Sequence, residues 1–247
     1  MSIVLGIDVG GTGIKGALVD LKKGELISEK IRIPTPEGGK PKDIIRVISD
    51  LVKTFEWKSK PIGIGFPAIM KNGVALSASN IHDDWIGYNV KEQIEKKTKC
   101  PVAVINDADA AGLAELKYGK AGNSKGTVLL LTLGTGIGSA LFTNGVLVPN
   151  TEFGHLIFEG GIAEQYASNA ARKRDEMSWE EYGKALNKYL KHIDFIFSPD
   201  LILLGGGISK RIHLYEEFLS KDLNVQAAKN FNNAGILGAA LAHSDLA

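Results

Sequence analysis

The chain has 247 residues, with Lys plus Arg at 29 against Asp plus Glu at 28, a formal net charge of +1. That length makes one to two domains rather than a minimal binding module, and the charge balance gives no global field to recruit nucleic acid or an anionic membrane surface. Hydrophobic residues at 44% and 29 glycines leave ample material for a filled interior and exclude a disordered composition.

The only cysteine, Cys100, can form neither an intramolecular disulfide nor, alone, a thiolate metal site, which fits a reducing compartment. The opening MSIVLGIDVGG has no basic leader and carries Asp8 within its apolar run, so neither a signal peptide nor a membrane anchor is expected, and the protein is expected in the cytoplasm.

Ile3 to Ile7, Ile14 to Val19 and Leu26 to Ile33 read as strands of a glycine-linked antiparallel meander. Pro41 through Phe55 has helical apolar spacing with Pro at a tolerated early position. Pro61 to Phe66 is a strand, Val90 to Lys99 a short helix, Val102 to Ile105 a strand, and Ala108 to Tyr118 a slim helix of small residues. The polar, turn-rich Gly119 to Gly126 marks a domain boundary, giving an N-terminal α/β domain over 1–118 and a C-terminal α/β domain over 119–233.

A second meander follows, with strands at Val128 to Leu133, Gly138 to Phe142 and Val146 to Val148. Ile162 to Ala171 and Trp179 to Phe197 are helical, Leu201 to Leu204 is a buried strand, and a helix begins near Ser209. A small-residue helix from Ala234 closes the chain and is expected to complete the first domain. GTGIKGAL at 11–18 aligns without gaps on GTGIGSAL at 134–141, six of eight identical at an offset of 123, so duplication is the economical account.

Several groups can carry chemistry. In DVGGTGIK, Gly10, Gly11 and Gly13 can bring main-chain N–H groups to an anion, and Thr12 and Lys15 add a hydroxyl and a charge. The segment is not a P-loop, because GxxxxGK[ST] is absent, nor a dinucleotide fingerprint, because a strand follows where a helix is required. A tight turn with a solvated lysine is the bland alternative. Gly134, Thr135 and Gly136 form a second such turn, so two hairpins, one per domain, are expected to clasp a polyanion across a central cleft.

Asn106-Asp107 follows the strand VAVI and opens a helix, a position that suits an active-site carboxylate and equally suits an N-cap. Glu152 and His155 flank Phe153-Gly154, and Glu164 stands near the start of the next helix; carboxylate and imidazole suit sugar hydroxyls, while an ordinary surface turn has the same composition. Asn80 precedes IHDDW, where an amide beside Trp85 can bond a hydroxyl or simply sit in a packed loop. Gly205, Gly206 and Gly207 leave the strand end open to a donor group; Lys210 and Arg211 follow as anion contacts or as solvated residues, and with Lys120 and Lys125 they are candidates for a basic track.

DVGGTGIKGALVD, FPAIMKNGV, NDADAAGLAE, TLGTGIGSAL, LVPNTEFGH, LLGGGISK and NNAGILGAA, in that order over essentially the whole chain, resemble the ROK family of sugar kinases within the actin-like ATPase superfamily, and in particular its polyphosphate-using branch. The resemblance implies a duplicated ribonuclease H-like α/β fold with two domains around a cleft. It implies transfer of the terminal phosphoryl group of inorganic polyphosphate to the 6-hydroxyl of glucose, with Asp107 as catalytic base. Asn80, Asn106, Asp107, Glu152, His155 and Glu164 match sugar-binding positions, Asp8 the acidic residue associated with magnesium, and the glycine hairpins the phosphate loops. An ATP-dependent or dual-donor enzyme that also takes mannose, and an inactive sugar-binding sensor, are the alternatives. The family's cysteine-rich zinc motif is missing after His155, so no structural zinc is expected. The resemblance also implies a homodimer, with no nucleic-acid or membrane partner.

Overall fold

Gly11-Thr12 turns β1 (Ile3–Gly10) into β2 (Gly13–Asp20), an antiparallel hairpin in register from Ile3↔Asp20 to Gly10↔Gly13. The computed structural model describes residues 2–78, 81–122, 125–229 and 233–245. They fall into two units, Met1–Lys117 with Asn233–Ala247, and Tyr118–Asn232.

In the first unit, β2 also pairs with β3 (Glu25–Leu26) and β4 (Ile31–Ile33). The single strand expected over 26–33 is thus broken, and the reason is local: Ser28 Oγ accepts the Leu18 N–H at 2.9 Å, replacing a main-chain partner midway. Helix α1 (Pro41–Thr54) starts with Pro at its first turn and buries Ile44, Ile45, Val47, Ile48, Leu51 and Val52. β5 (Ile62–Phe66) is buried at every position, as a central parallel strand covered on both faces should be. The small hairpin β6 (Met70–Lys71) and β7 (Val74–Ala75) follows. Helix α2 (Val90–Thr98) is capped by Asn89, whose side chain accepts the Glu92 N–H at 3.1 Å, and ends on Lys99 at φ 59°. β8 (Val102–Asn106) runs directly into α3 (Asp107–Tyr118). The sheet order is β3-β2-β1-β5-β8, with β1, β5 and β8 mutually parallel.

The second unit repeats this order. β9 (Thr127–Leu133), β10 (Ile137–Thr143) and β11 (Val146–Val148) form an antiparallel meander. A 3-10 turn at Phe153–His155 leads to the hairpin β12 (Ile157–Phe158) and β13 (Gly161–Ile162). The helix expected over 162–171 is instead two short ones, α4 (Glu164–Ala167) and α5 (Asn169–Arg174). Ser168 separates them, extended at ψ 164°, and its Oγ caps α5 by accepting the Ala171 N–H at 3.0 Å. α6 (Trp179–Phe197) opens with a capping box between Ser178 and Glu181 and buries Tyr182, Leu186, Tyr189, Leu190 and Ile193. β14 (Leu201–Gly205) and β15 (Val225–Ala227) complete a sheet of order β11-β10-β9-β14-β15. Between them the helix expected from near Ser209 is a 3-10 segment, Gly207–Leu214. In both units an antiparallel meander, of four strands in the first and three in the second, is followed by two parallel strands.

The chain then returns to the first unit as α7 (Ala234–Asp245), which packs on β1, β5 and β8. Gly63 and Gly238 admit this closeness: a Cβ at either would collide with main chain, of Ala239 and Ala110 respectively. Each unit has its own apolar core, one around Leu5, Ile7, Ile48, Leu51, Ile64 and Phe66, the other around Leu129, Leu131, Leu186, Tyr189, Ile202 and Leu204.

Candidate functional site

In the first unit the polar residues gather at the carboxyl ends of the parallel strands, where open α/β sheets place their ligands. Asp8 on β1 stands opposite Gly65 on β5, and Asn106 ends β8 beside Phe66. The carboxylates of Asp8 and Asp107 thus come from strand ends on either side of β5. Glycine at 65 leaves the strand between them without a side chain; a Cβ there would be in ordinary contact with the Ala110 Cβ at 3.4 Å and the Asp107 Cα at 3.6 Å.

Asp8 is also directly opposite Lys15 in the hairpin, and Lys15 Nζ lies 3.0 Å from Asp8 Oδ2. The Asp8 side chain is 16% exposed. Gly10 O accepts the Thr35 hydroxyl, and Arg32 Nη2 donates to Thr12 O at 2.8 Å, so both sides of the hairpin turn are tied to the segment around β4.

Asn106 is the N-cap of α3: its Oδ1 accepts the N–H groups of Ala108 at 2.9 Å and Asp109 at 3.1 Å. Its Nδ2 donates to Ala68 O at 3.1 Å, and the residue is buried. One amide hydrogen therefore remains for a ligand. Asp107, half-buried on the first turn of α3, accepts the Ala108 N–H through Oδ1 at 2.9 Å. Of the two neighbours, Asn106 is the one that caps the helix, and Asp107 stands on its first turn. Asn80 lies outside the described residues, while Trp85 is fully buried and donates to Gly39 O at 2.8 Å.

In the second unit, β10 organises the site. Ile137 N–H donates to Glu164 Oε2 at 3.1 Å, Ser139 Oγ donates to Thr151 O at 2.6 Å, and Ser139 Oγ accepts the Phe153 N–H at 3.0 Å. Gly136 lies so close beneath the Glu164 carboxylate that a Cβ there would displace it. Gly154, in turn, fits against the carbonyl of Ile137 only because it lacks a Cβ. Glu152 and His155 come within 3.3 Å (Oε2 to Nδ1) around this turn. Burial raises the Glu152 carboxyl above its ordinary value, and the nearby Glu164 charge adds to that, against the lowering effect of His155. Glu152, His155 and Glu164 thus form one cluster, the dominant shift at Glu152 being desolvation.

The second glycine turn is braced by Gly134 N–H to Gly136 O at 2.9 Å and by Ala170 N–H to Gly134 O at 3.1 Å, with Thr135 exposed at its tip. Gly205 ends β14; Gly206, at φ 78°, allows the chain to pass Leu133, whose main chain a Cβ would approach at 2.6 Å. Gly207 is open, and Lys210 is exposed on the 3-10 segment. Sequence patterns did not single out Arg32, Ser139 or Gly235. For Ser139, its place inside the repeated octapeptide was an available signal; for Arg32 and Gly235, only the strand register and the return of α7 reveal them.

The model of the ROK family matches residues 4–168, two thirds of the chain. The chain belongs to the ROK family. The ROK chain is 42% identical over 238 residues to the polyphosphate glucokinase of Mycobacterium tuberculosis, covering 96% of this chain and 89% of the relative. The structure of an inorganic polyphosphate/ATP-glucomannokinase from Arthrobacter sp. strain KM superposes with a TM-score of 0.96 at 44% identity, covering 100% of both chains. A ROK family glucokinase from Streptomyces griseus, solved with glucose and AMPPNP, shares the fold at TM-score 0.82 and 23% identity, over 98% of this chain and 99% of that one. The architecture is therefore the ROK, actin-like one, and the protein is a phosphotransferase acting on a sugar hydroxyl. No helix among the described residues is long and apolar enough to cross a membrane.

Proposed function

We propose that this ROK kinase transfers a phosphoryl group from either inorganic polyphosphate or ATP to the 6-hydroxyl of glucose, and accepts mannose as well. The observation that carries this reading is the full-length similarity, 44% identical over 100% of both chains, to a dual-donor glucomannokinase. It widens the expectation of a glucose-directed enzyme preferring polyphosphate. The polyphosphate glucokinase relative, similar over 96% of this chain, supports polyphosphate as one of the donors.

In this reading Asp107 takes the proton from the sugar hydroxyl as its oxygen bonds to phosphorus and the bond from phosphorus to the rest of the donor breaks. A neutral alcohol is a weak nucleophile, so a base at hydrogen-bond distance is what the step requires. Asn80, Asn106, Glu152, His155 and Glu164 hold sugar hydroxyls; the carboxylates accept and the remaining Asn106 amide hydrogen donates. Gly10, Gly11, Thr12, Gly13 and Lys15 receive phosphate oxygens, Gly134, Thr135 and Gly136 add the N–H and hydroxyl groups of the second turn, and Gly205, Gly206, Gly207 and Lys210 receive the more distant part of the donor.

The donor set also suits magnesium. Among the described residues there is no group of three or more His, Cys, Asp or Glu that could hold a metal. Magnesium bound with phosphates, however, takes only one or two carboxylates and fills its remaining positions with phosphate oxygens and water. Asp8, partly exposed at a strand end, would be its protein ligand, and the ion would supply neutralisation of phosphate charge. A homodimer and a cytoplasmic location belong to the same proposal.

The test is initial-rate formation of sugar 6-phosphate with magnesium, using nucleotide-free polyphosphate and polyphosphate-free ATP against glucose and mannose. Turnover with both donors is expected. Turnover with one donor alone would narrow the reading to that donor, and none with any pair would leave a sugar-binding sensor.

A further inference from the structure

The two glycine hairpins, equivalent in sequence, carry opposite charges in the structure. Gly13 and Gly136 occupy the same place in the repeated octapeptide. Neither has a positive φ, so neither is required by its backbone conformation. Each is instead the floor beneath a charged side chain. Over Gly13 lies the guanidinium of Arg32, whose Nε, Cζ and Nη2 would stand 2.6 to 2.8 Å from an added Cβ. Over Gly136 lies the carboxylate of Glu164.

Arg32 is placed there by strand register. Asp8, Lys15 and Arg32 are successive direct partners across β1, β2 and β4. Direct partners in an antiparallel ladder share one face with Cβ atoms about 5 Å apart. The row reads negative, positive, positive, and its one carboxylate is already paired with Lys15 at 3.0 Å. Among the described residues, no carboxylate forms an ion pair with Arg32. Its Nη2 donates to Thr12 O at 2.8 Å, which aligns the planar head along the turn. Like charges directly opposite each other destabilise a sheet. A guanidinium anchored by one hydrogen bond beside a lysine, with donors left over, is arranged for an anion with several oxygens.

We propose that Arg32 is a phosphate-binding residue of this kinase, gripping the donor's phosphate chain together with Lys15 and the Gly10 to Gly13 turn. The charged part of the anion grip then falls on the first hairpin, while the second offers its N–H and hydroxyl groups beside the Glu164 carboxylate. The inference rests on the reading that the donor is a polyphosphate chain, inorganic or in ATP.

Calorimetric titration of tripolyphosphate into the full chain, with magnesium, tests it on wild type, Arg32→Gln and Arg32→Lys. Arg32→Gln is expected to weaken binding about tenfold, the effect of losing one charge-assisted bidentate contact, and Arg32→Lys to recover at least part of that loss. Glucose affinity and thermal midpoint should stay at the wild-type values, since Arg32 is exposed. Equal tripolyphosphate binding by wild type and Arg32→Gln would overturn the inference. So would no binding to wild type, or no recovery with lysine, which would leave only the bond to Thr12. This readout needs no turnover, whereas failure of the proposed function shows as wild type forming no sugar phosphate with either donor.

Discussion

Gly235, in the first turn of α7, lies directly against the carboxylate of Asp8: a Cβ there would stand 2.9 Å from Cγ and 3.0 and 3.2 Å from the two oxygens. The C-terminal helix therefore fixes where the proposed magnesium ligand can sit. Gly235→Ala should move that carboxylate while suiting the helix backbone, because alanine is the better helix former by up to about 1 kcal/mol. The expected result is a turnover loss of at least about tenfold and a higher magnesium requirement, with little change in thermal midpoint. Initial rates across a magnesium series, beside calorimetry, check this; an unchanged magnesium response would detach Asp8 from the metal.

Asp107→Asn keeps the shape of the first turn of α3 and removes the proton acceptor. Turnover should fall by roughly 10²- to 10⁴-fold with glucose affinity largely retained. Single-turnover kinetics combined with direct glucose binding would separate the two effects. Near-normal turnover would remove Asp107 from the chemistry.

Ser139 is buried, and its hydroxyl joins Thr151 O and the Phe153 N–H, the two sides of Glu152. Ser139→Ala would leave a buried N–H and a carbonyl without that partner. A destabilisation of about 1–3 kcal/mol follows, and the glucose KM should rise more than kcat falls, because the carboxylate loses its anchor rather than its chemistry. Denaturant unfolding and steady-state kinetics on the same preparation test both halves.

Because the folded-state pKa of Glu152 is raised, by burial first, the native state holds its proton more tightly than the unfolded chain. Stability from this group is fully present below the ordinary carboxylate range and is lost as pH rises through the folded value. Glu152→Gln, which cannot ionise, should therefore be more stable than wild type at neutral pH, and its advantage should vanish on acidification through that range. Thermal midpoints of both proteins across a pH series provide the check, and an advantage independent of pH would contradict the assignment.

The order of elements was legible in the sequence because each strand and helix has its own apolar period, and the repeated GTGI octapeptide announced a common plan for the two sheets. Where the sequence misled, a serine was responsible twice: Ser28 and Ser168 each offer a side-chain oxygen to a main-chain N–H and interrupt an element whose apolar pattern runs on. Asp107 and the cluster of Glu152, His155 and Glu164 were visible as motif residues. The part played by glycine was not. Gly13 and Gly136 read as turn-formers, yet what they provide is space for Arg32 and Glu164, residues distant in sequence, which only the register and the fold bring over them.

The return of α7 to the first unit has a consequence for how the protein is made. The second unit is one continuous stretch, Tyr118–Asn232, and can close as soon as that stretch has left the ribosome. The first unit, though synthesised earlier, lacks the helix that covers β1, β5 and β8 until Ala234–Asp245 emerges. Completion of the N-terminal unit is thus expected to follow that of the C-terminal one, against the usual order in which the N-terminal part settles first. Until then β1, which carries Asp8, and β8, which leads into Asp107, lack the helix that covers them, and that stage of synthesis is where a chaperone would have most to do.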